Sequence, residues 1–167
     1  ITHGRRRIKK GSYWLTRADL ADGLPGTLAL WIPSDTPDPE QGEWLRARFC
    51  ERLWLAVELH RGADDDARLQ SLMTLGKQLG LPLLAAGDVH MHQRRRRIVQ
   101  DTLTAIRHRV TVSEAGAWLF PNGERHLRTR TALSAIYPKE LLEQSLRIAE
   151  RCTFDLGQLK YQYPREL

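Results

Sequence analysis

The chain contains three short runs of apolar residues, and each run is followed by a stretch with helical periodicity. The runs occupy residues 27–32, 53–59 and 81–86. Short, continuous apolar segments bounded by turn residues are typical of strands buried on both faces of a parallel sheet. The order strand, helix, strand, helix, strand, helix therefore predicts an α/β domain with parallel strands. In such domains ligands collect at the C-terminal ends of the strands.

The polar and apolar positions outside these runs predict the helices. The first spans about residues 43–50, after a Pro-rich acidic loop at 33–42. The second ends at Gly80, because glycine suits the position after a helix C-terminus. A third spans about residues 94–108, and the last begins at Pro138, since proline fits the first position of a helix. The apolar positions on which these helices rest are Leu69, Leu72, Met73 and Leu79, then Ile98, Val99, Leu103 and Ile106, then Leu141, Leu142, Leu146 and Ile148.

Composition narrows the class of protein. The 167 residues are 41% apolar and 28% charged, which excludes a wholly disordered chain and a fibrous repeat. Lys and Arg exceed Asp and Glu by 26 to 20, and this net charge of +6 is compatible with a phosphate-rich partner. Cys50 and Cys152 cannot build a disulfide framework or a Cys-based zinc site. No apolar run approaches the length of a membrane span, so we expect a protein of the reducing cytosol.

Carboxylates and imidazoles follow two of the predicted strands. Glu58 and His60 stand at the end of the second, and Asp88 and His90 follow Gly87 at the end of the third. Alternation along an extended segment places each pair on one face. Such groups at one rim are ligands for a divalent cation such as Zn, Mn or Fe, which would activate water or polarise a phosphoryl oxygen. The sequence therefore predicts a metal site formed by Glu58, His60, Asp88 and His90.

Simpler interpretations remain for Glu58 and His60, whereas a ligand role is favoured for Asp88 and His90. A buried Glu58 could accept hydrogen bonds from loop amides, and His60 could cap a strand end. We interpret His92 as a solvent-facing residue beside the arginines. The other histidines stand alone in the sequence and are taken as surface or supporting residues: His3, His108 and His126.

The densest positive charge lies in the run Arg94, Arg95, Arg96 and Arg97. Cations at the first turn of a helix oppose the helix dipole, so the run favours an anionic partner such as nucleic-acid phosphate or acidic side chains elsewhere. The alternative is a solvated helix turn. The segment 122–128 adds Arg125 and Arg128 as weaker candidates for nucleic-acid contact, although we interpret this segment as a surface hairpin or loop.

Several motifs together resemble one family. They are GDVHMH at 87–92, QDTLTAI at 100–106 and LFPNGERHLR at 119–128, with LRIAERC at 146–152 and YQYPREL at 161–167. Upstream, GRRR at 4–7, LTRADL at 15–20 and WLAVELH at 54–60 fit the same pattern. The chain resembles the error-prone bacterial C-family DNA polymerases, which are paralogues of the DNA polymerase III α subunit, and the resemblance extends over nearly the whole chain.

The resemblance implies a fold and a site. The chain would be most of a PHP (polymerase and histidinol phosphatase) domain, an incomplete, distorted (β/α)7 barrel without its first strand or strands. Residues 1–110 would form the barrel part, and 111–167 a helical part leading toward the polymerase palm. Asp88 and His90 match the last metal-binding motif of these domains, and Glu58 matches an earlier carboxylate ligand. His60 lies nearer to Glu58 than the family's His ligand does, and the metal would be Zn or Mn.

The resemblance also predicts what the chain does not carry. The chain begins without Met, and we expect the family's His-x-His motif before Ile1 and the polymerase's catalytic aspartates after Leu167. The Zn or Mn site would then be complete in the full protein, and this chain alone should bind the metal weakly or not at all and should not polymerise DNA. The leading hypothesis is thus a non-polymerising domain of an error-prone, damage-tolerant DNA polymerase that uses Mg in the full protein. Its partners would be DNA, the rest of the polymerase and other mutagenesis or replication proteins. The alternatives are a metal-dependent phosphoesterase or 3′–5′ exonuclease, and a purely structural scaffold.

Overall fold

Three parallel strands form the sheet of this α/β protein. The computed structural model describes residues 2–159. The strands are β1 (Ala29–Trp31), β2 (Leu53–Glu58) and β3 (Leu83–Ala86), in the order β1-β2-β3. The predicted class, α/β with parallel strands, is confirmed. Residues 161–167, which carry one motif of the family resemblance, lie outside the described residues.

Six α-helices accompany the strands within the described residues, together with short 3₁₀ turns. The helix that we predicted at 43–50 starts earlier, because the Asp38 side chain accepts a hydrogen bond from the Glu40 backbone N–H at 3.0 Å and Pro39 follows as the first helical residue. The next helix ends at Gly80, which adopts the left-handed conformation, as predicted. No helix between residues 2 and 159 is long and apolar enough to cross a membrane. The helices are α1 (Thr2–Arg6), α2 (Pro39–Phe49), α3 (Asp65–Leu79), α4 (Arg97–His108), α5 (Arg130–Ser134) and α6 (Lys139–Arg151).

The main core lies against β2. Leu55 and Val57 in this strand are fully buried, and Leu72 of α3 packs in the same cluster. Leu141 of α6 also belongs to this cluster, so residues on both sides of position 110 share one core. Burial of this kind is the main favourable contribution to folding, and it holds β2 in the middle of the sheet.

The first strand is less enclosed than the sequence predicted. Trp31 is buried and lies against Gly42 of α2, where a Cβ atom would collide with the Trp31 ring. Leu30 and Ile32 are 47% and 57% exposed, so the prediction of burial on both faces is wrong for this strand. The physical reason is that the described residues cover the face of β1 that carries Trp31 and leave the face that carries Leu30 open.

Helix α4 shows a similar departure. Its predicted apolar face is present, but Ile98, Leu103 and Ile106 are exposed, and the buried residue of the helix is Ala105. Periodicity therefore identified the helix and its apolar face correctly. It could not show that the described part of the chain leaves this face open to solvent.

Tyr137 joins the C-terminal ends of β2 and β3. Its buried hydroxyl accepts a hydrogen bond from the Leu59 backbone N–H at 3.0 Å and donates one to the Ala86 carbonyl oxygen at 2.8 Å. These two backbone groups lie beyond or at the end of their strands, where the ladder of the sheet no longer pairs them. A side chain just before α6 thus closes the rim of the sheet.

Replacement of Tyr137 by phenylalanine tests this closure. We expect Tyr137→Phe to lower the free energy of unfolding by about 1–3 kcal/mol, because it leaves buried backbone groups of Leu59 and Ala86 without a partner. Urea unfolding followed by circular dichroism measures the change. Tyr13→Phe, at an exposed tyrosine, is the matched control and should shift the free energy of unfolding by less than about 0.5 kcal/mol. Equal effects of the two substitutions would contradict the assignment.

Candidate metal centre

The register of the sheet brings three predicted ligands together. Glu58 of β2 lies opposite Ala86 of β3. His60 and Asp88, each two residues further along its own segment, therefore reach the same rim. Ligand atoms of Glu58, His60 and Asp88 all lie within 4.8 Å of one another. The three side chains are half-buried and come from two separate segments of the chain. The juxtaposition that the sequence suggested for these segments is therefore present.

Asp88 is the centre of this group. Its backbone adopts the left-handed region with φ of 41°, so the chain turns sharply directly after Gly87. Its Oδ2 atom accepts a hydrogen bond from Arg125 Nε at 2.6 Å, and its Oδ1 atom lies 3.0 Å from His90 Nε2. His90, the fourth predicted ligand, thus contacts the Asp88 carboxylate and lies outside the three-residue cluster. Its ring also packs against Phe120, with ring centroids 4.9 Å apart.

Burial and neighbouring charge shift the pKa values of the three clustered groups. Burial raises the pKa of the Glu58 carboxyl, and the negative charge of Asp88 adds to the effect. Burial lowers the pKa of His60, and the Arg125 guanidinium acts in the same direction. Burial works against ionisation of Asp88 as well, but the hydrogen bond from Arg125 and the charge of His90 outweigh it, and the pKa of Asp88 lies below its ordinary value. Two acids and a neutral imidazole therefore face one another.

This donor set suits a divalent cation. Carboxylate oxygens and a neutral imidazole nitrogen are ligands of Zn²⁺ and Mn²⁺, and a dication among them would relieve the repulsion between Glu58 and Asp88. Three protein ligands leave coordination positions for water, which is the arrangement of metal sites that carry out chemistry. The residues at this rim fit the predicted metal.

The segment 122–128, which precedes α5, forms hydrogen bonds with the backbone at the rim. The Asn122 side-chain amide donates a hydrogen bond to the His60 carbonyl oxygen at 2.7 Å, and Arg128 donates one to the Leu59 carbonyl oxygen at 3.2 Å. The backbone N–H groups of His90 and Met91 both donate to the Arg125 carbonyl oxygen. We predicted a surface hairpin or loop here. The segment is a loop, but the surface part of the prediction is wrong, because Glu124 is buried and these residues pair with backbone groups at the ends of β2 and β3.

The segment 122–128 also contains a buried carboxylate, Glu124. It is 4% exposed, and its oxygens lie 3.0 Å from Arg94, 3.2 Å from Arg128 and 3.9 Å from Arg61. Glu124 is not among the functional residues that the sequence predicts. The one local signal was its spacing of four residues from Arg128, and that spacing is common on exposed helices.

The arginines that we predicted to contact nucleic acid are largely engaged by the protein. Arg94 and Arg128 contact Glu124, and the Arg128 side chain is almost fully buried. Arg97 donates to the Phe120 carbonyl oxygen at 2.8 Å, and Arg125 donates to Asp88. Arg95, which donates to the Gln93 side chain, and Arg96 are exposed, as is the neighbouring His92. Contact of these arginines with DNA stays a prediction.

Comparison with other proteins identifies the relatives. No protein-family model matches the chain. Over its full length the chain is 65% identical to part of the error-prone DNA polymerase of Pseudomonas aeruginosa and 56% identical to part of the corresponding enzyme of Pseudomonas fluorescens. It is 59% identical to part of the error-prone DNA polymerase of Xanthomonas campestris pv. campestris. The chain is homologous to a segment of error-prone DNA polymerases. The resemblance that the motifs suggested is confirmed.

The homologous segment is a small part of each relative. The chain spans 16% of the length of these three error-prone DNA polymerases. The Glu58, His60 and Asp88 cluster and the buried Glu124 are features of that segment in this chain.

The ion pairs of Glu124 with Arg94, Arg128 and Arg61 predict a large loss of stability in Glu124→Gln. Removal of the carboxylate charge leaves the Arg128 guanidinium, which is 4% exposed, without its counter-charge, and we expect the free energy of unfolding to fall by about 3 kcal/mol. Thermal and urea unfolding measure the change. Glu43→Gln, at an exposed glutamate of α2, should be nearly neutral. An unfolding curve of Glu124→Gln that overlays the wild-type curve would show that these ion pairs make no net contribution to the free energy of unfolding.

Proposed function

We propose that the chain is a non-polymerising PHP-type domain of an error-prone DNA polymerase and that it holds a divalent cation at the rim formed by β2 and β3. The observation that carries this proposal is the convergence of Glu58, His60 and Asp88 within 4.8 Å in a homologue of these polymerases. The C-terminal rim of parallel strands is where domains of this architecture collect their ligands.

The proposal extends to the fold and to the longer protein. Parallel strands with an outer strand β1, whose second edge has no strand neighbour among residues 2–159, support an incomplete PHP barrel. We propose residues 1–110 as its barrel part and 111–167 as the part leading toward the palm. The longer protein would extend a DNA 3′ end on a template with Mg²⁺. Its partners would be DNA and other mutagenesis or replication proteins.

The proposed chemistry follows from the residues at the rim. Glu58, His60 and Asp88 would hold the cation, which supplies Lewis acidity toward water or a phosphoryl oxygen when bound. His90 contacts Oδ1 of the Asp88 carboxylate and Arg125 contacts Oδ2, so both oxygens of this ligand have a neighbour within the protein. Tyr137, Asn122 and Arg128 hold the backbone that carries His60, so the ligands keep their relative positions.

Metal binding by the chain tests the proposal directly. Isothermal titration with MnCl₂ and ZnCl₂ should show one weakly bound cation in the wild type, because three protein ligands hold it. Asp88→Asn and Glu58→Gln should each weaken binding by roughly tenfold or more, since each removes a charged ligand. Asp22→Asn, which removes one negative charge at an exposed turn, is the matched control and should bind as the wild type does. Absence of saturable binding in the folded wild type would refute the metal centre.

A second candidate function is metal-dependent phosphoester hydrolysis. The observation in its favour is His90, which lies 3.0 Å from Asp88 and is partly exposed, so its imidazole is accessible to a substrate at the rim. We expect Mn²⁺-dependent shortening of a DNA primer labelled at its 3′ end, with loss of that activity in Asp88→Ala and His90→Ala. His3→Ala, at an exposed histidine distant in sequence from the rim residues, is the control. Metal binding without any shortening would favour a structural role for the ion.

A further inference from the structure

Arg125 is held in place at the acidic rim by three kinds of contact. Its Nε atom donates to Asp88 Oδ2 at 2.6 Å, and its guanidinium lies 4.1 Å from the centre of the Phe120 ring. Its carbonyl oxygen accepts hydrogen bonds from the backbone N–H groups of His90 and Met91. The side chain is only 17% exposed. The Arg125 side chain is thus fixed at the place where the Glu58 and Asp88 carboxylates meet.

The charge balance of the rim gives this arrangement a role. Glu58 and Asp88 come from neighbouring strand ends, and two partly buried carboxylates at this separation repel each other. The Arg125 guanidinium supplies a positive charge at one of them. The same group acts electrostatically on Glu58 and on His60, so its field reaches all three clustered side chains.

Both Asp88 oxygens already have partners in this arrangement. Oδ2 is bound to Arg125, and Oδ1 faces His90. A dication that coordinates Asp88 must therefore share or displace one of these contacts, and it enters next to a fixed positive charge. Charge-assisted hydrogen bonds of this type are among the stronger side-chain contacts in proteins.

We propose that Arg125 is the resident cation of the rim, which neutralises the pair Glu58 and Asp88 and competes with a divalent ion for Asp88. The competition half of this proposal rests on the proposed metal centre, and the neutralisation half does not. The rim would keep its shape without metal, and the chain would bind a dication more weakly than its three ligands alone allow.

Arg125→Gln separates this role from that of a residue that supports metal binding. In isothermal titration we expect the affinity of the variant for Mn²⁺ to exceed that of the wild type by at least about tenfold. In EDTA it should unfold at a lower temperature than the wild type, and added Mn²⁺ should raise that temperature by more than it does in the wild type, because the ion then replaces the missing charge. Arg130→Gln, at an exposed arginine that begins α5, controls for the loss of one positive charge.

Two further variants keep the outcome decisive. Arg125→Lys retains the charge, so its Mn²⁺ affinity should stay nearer to the wild type than that of Arg125→Gln. If Arg125→Gln is poorly folded in EDTA, the additional change Asp88→Asn should restore much of the unfolding temperature, since it removes the uncompensated acid.

Weaker Mn²⁺ binding in Arg125→Gln than in the wild type would overturn the proposal while leaving the metal centre intact. If neither protein binds Mn²⁺, the metal centre is wrong and the unfolding data decide. Destabilisation that Asp88→Asn reverses then supports Arg125 as the resident cation. A loss of stability no greater than that of Arg130→Gln overturns it.

Discussion

The register between β2 and β3 is the constraint on which the rim depends. Leu55 and Val57 pack in one core cluster and Trp54 and Ala56 pack in another on the opposite face, so a slide of β2 would disrupt the packing on both faces. A shift by one residue would turn every side chain of the strand to the opposite face. With the observed register, Glu58 lies beside Ala86, and His60 and Asp88 meet just beyond the sheet. Apolar packing in the middle of the strands thereby positions polar chemistry at their ends.

The ends of the strands leave backbone groups that must be paired elsewhere, since buried polar groups without partners are costly. Residues distant in sequence supply the partners: Tyr137 for the Leu59 N–H, Arg128 for the Leu59 carbonyl and Asn122 for the His60 carbonyl. This requirement explains why a polar segment turns inward and brings Glu124 with it. The same segment delivers Arg125 to Asp88, so support of the backbone and balance of charge at the rim come from one stretch of chain.

The positive charge of the protein is used inside the fold more than its sequence suggests. A net charge of +6 and a run of four arginines predicted contacts with phosphate. In the structure, Arg94, Arg97, Arg125 and Arg128 each bind a carboxylate or a carbonyl oxygen of the protein itself. A count of basic residues measures the field around a protein, but it does not say which guanidinium groups are free to meet a ligand.

Local pattern alone determined the strands, most helices and the acidic and imidazole residues at the strand ends, because periodicity, turn chemistry and alternation are properties of neighbouring residues. It overestimated the burial of Leu30 and of the apolar face of α4, since exposure depends on what packs there. The sequence motifs also sufficed to recognise the polymerase relatives. Tertiary structure alone decided that His90 contacts Asp88, that Glu124 is buried among arginines and that Arg125 enters the acidic rim. Those contacts join segments thirty or more residues apart or depend on the direction of a side chain, and local patterns carry no information about either.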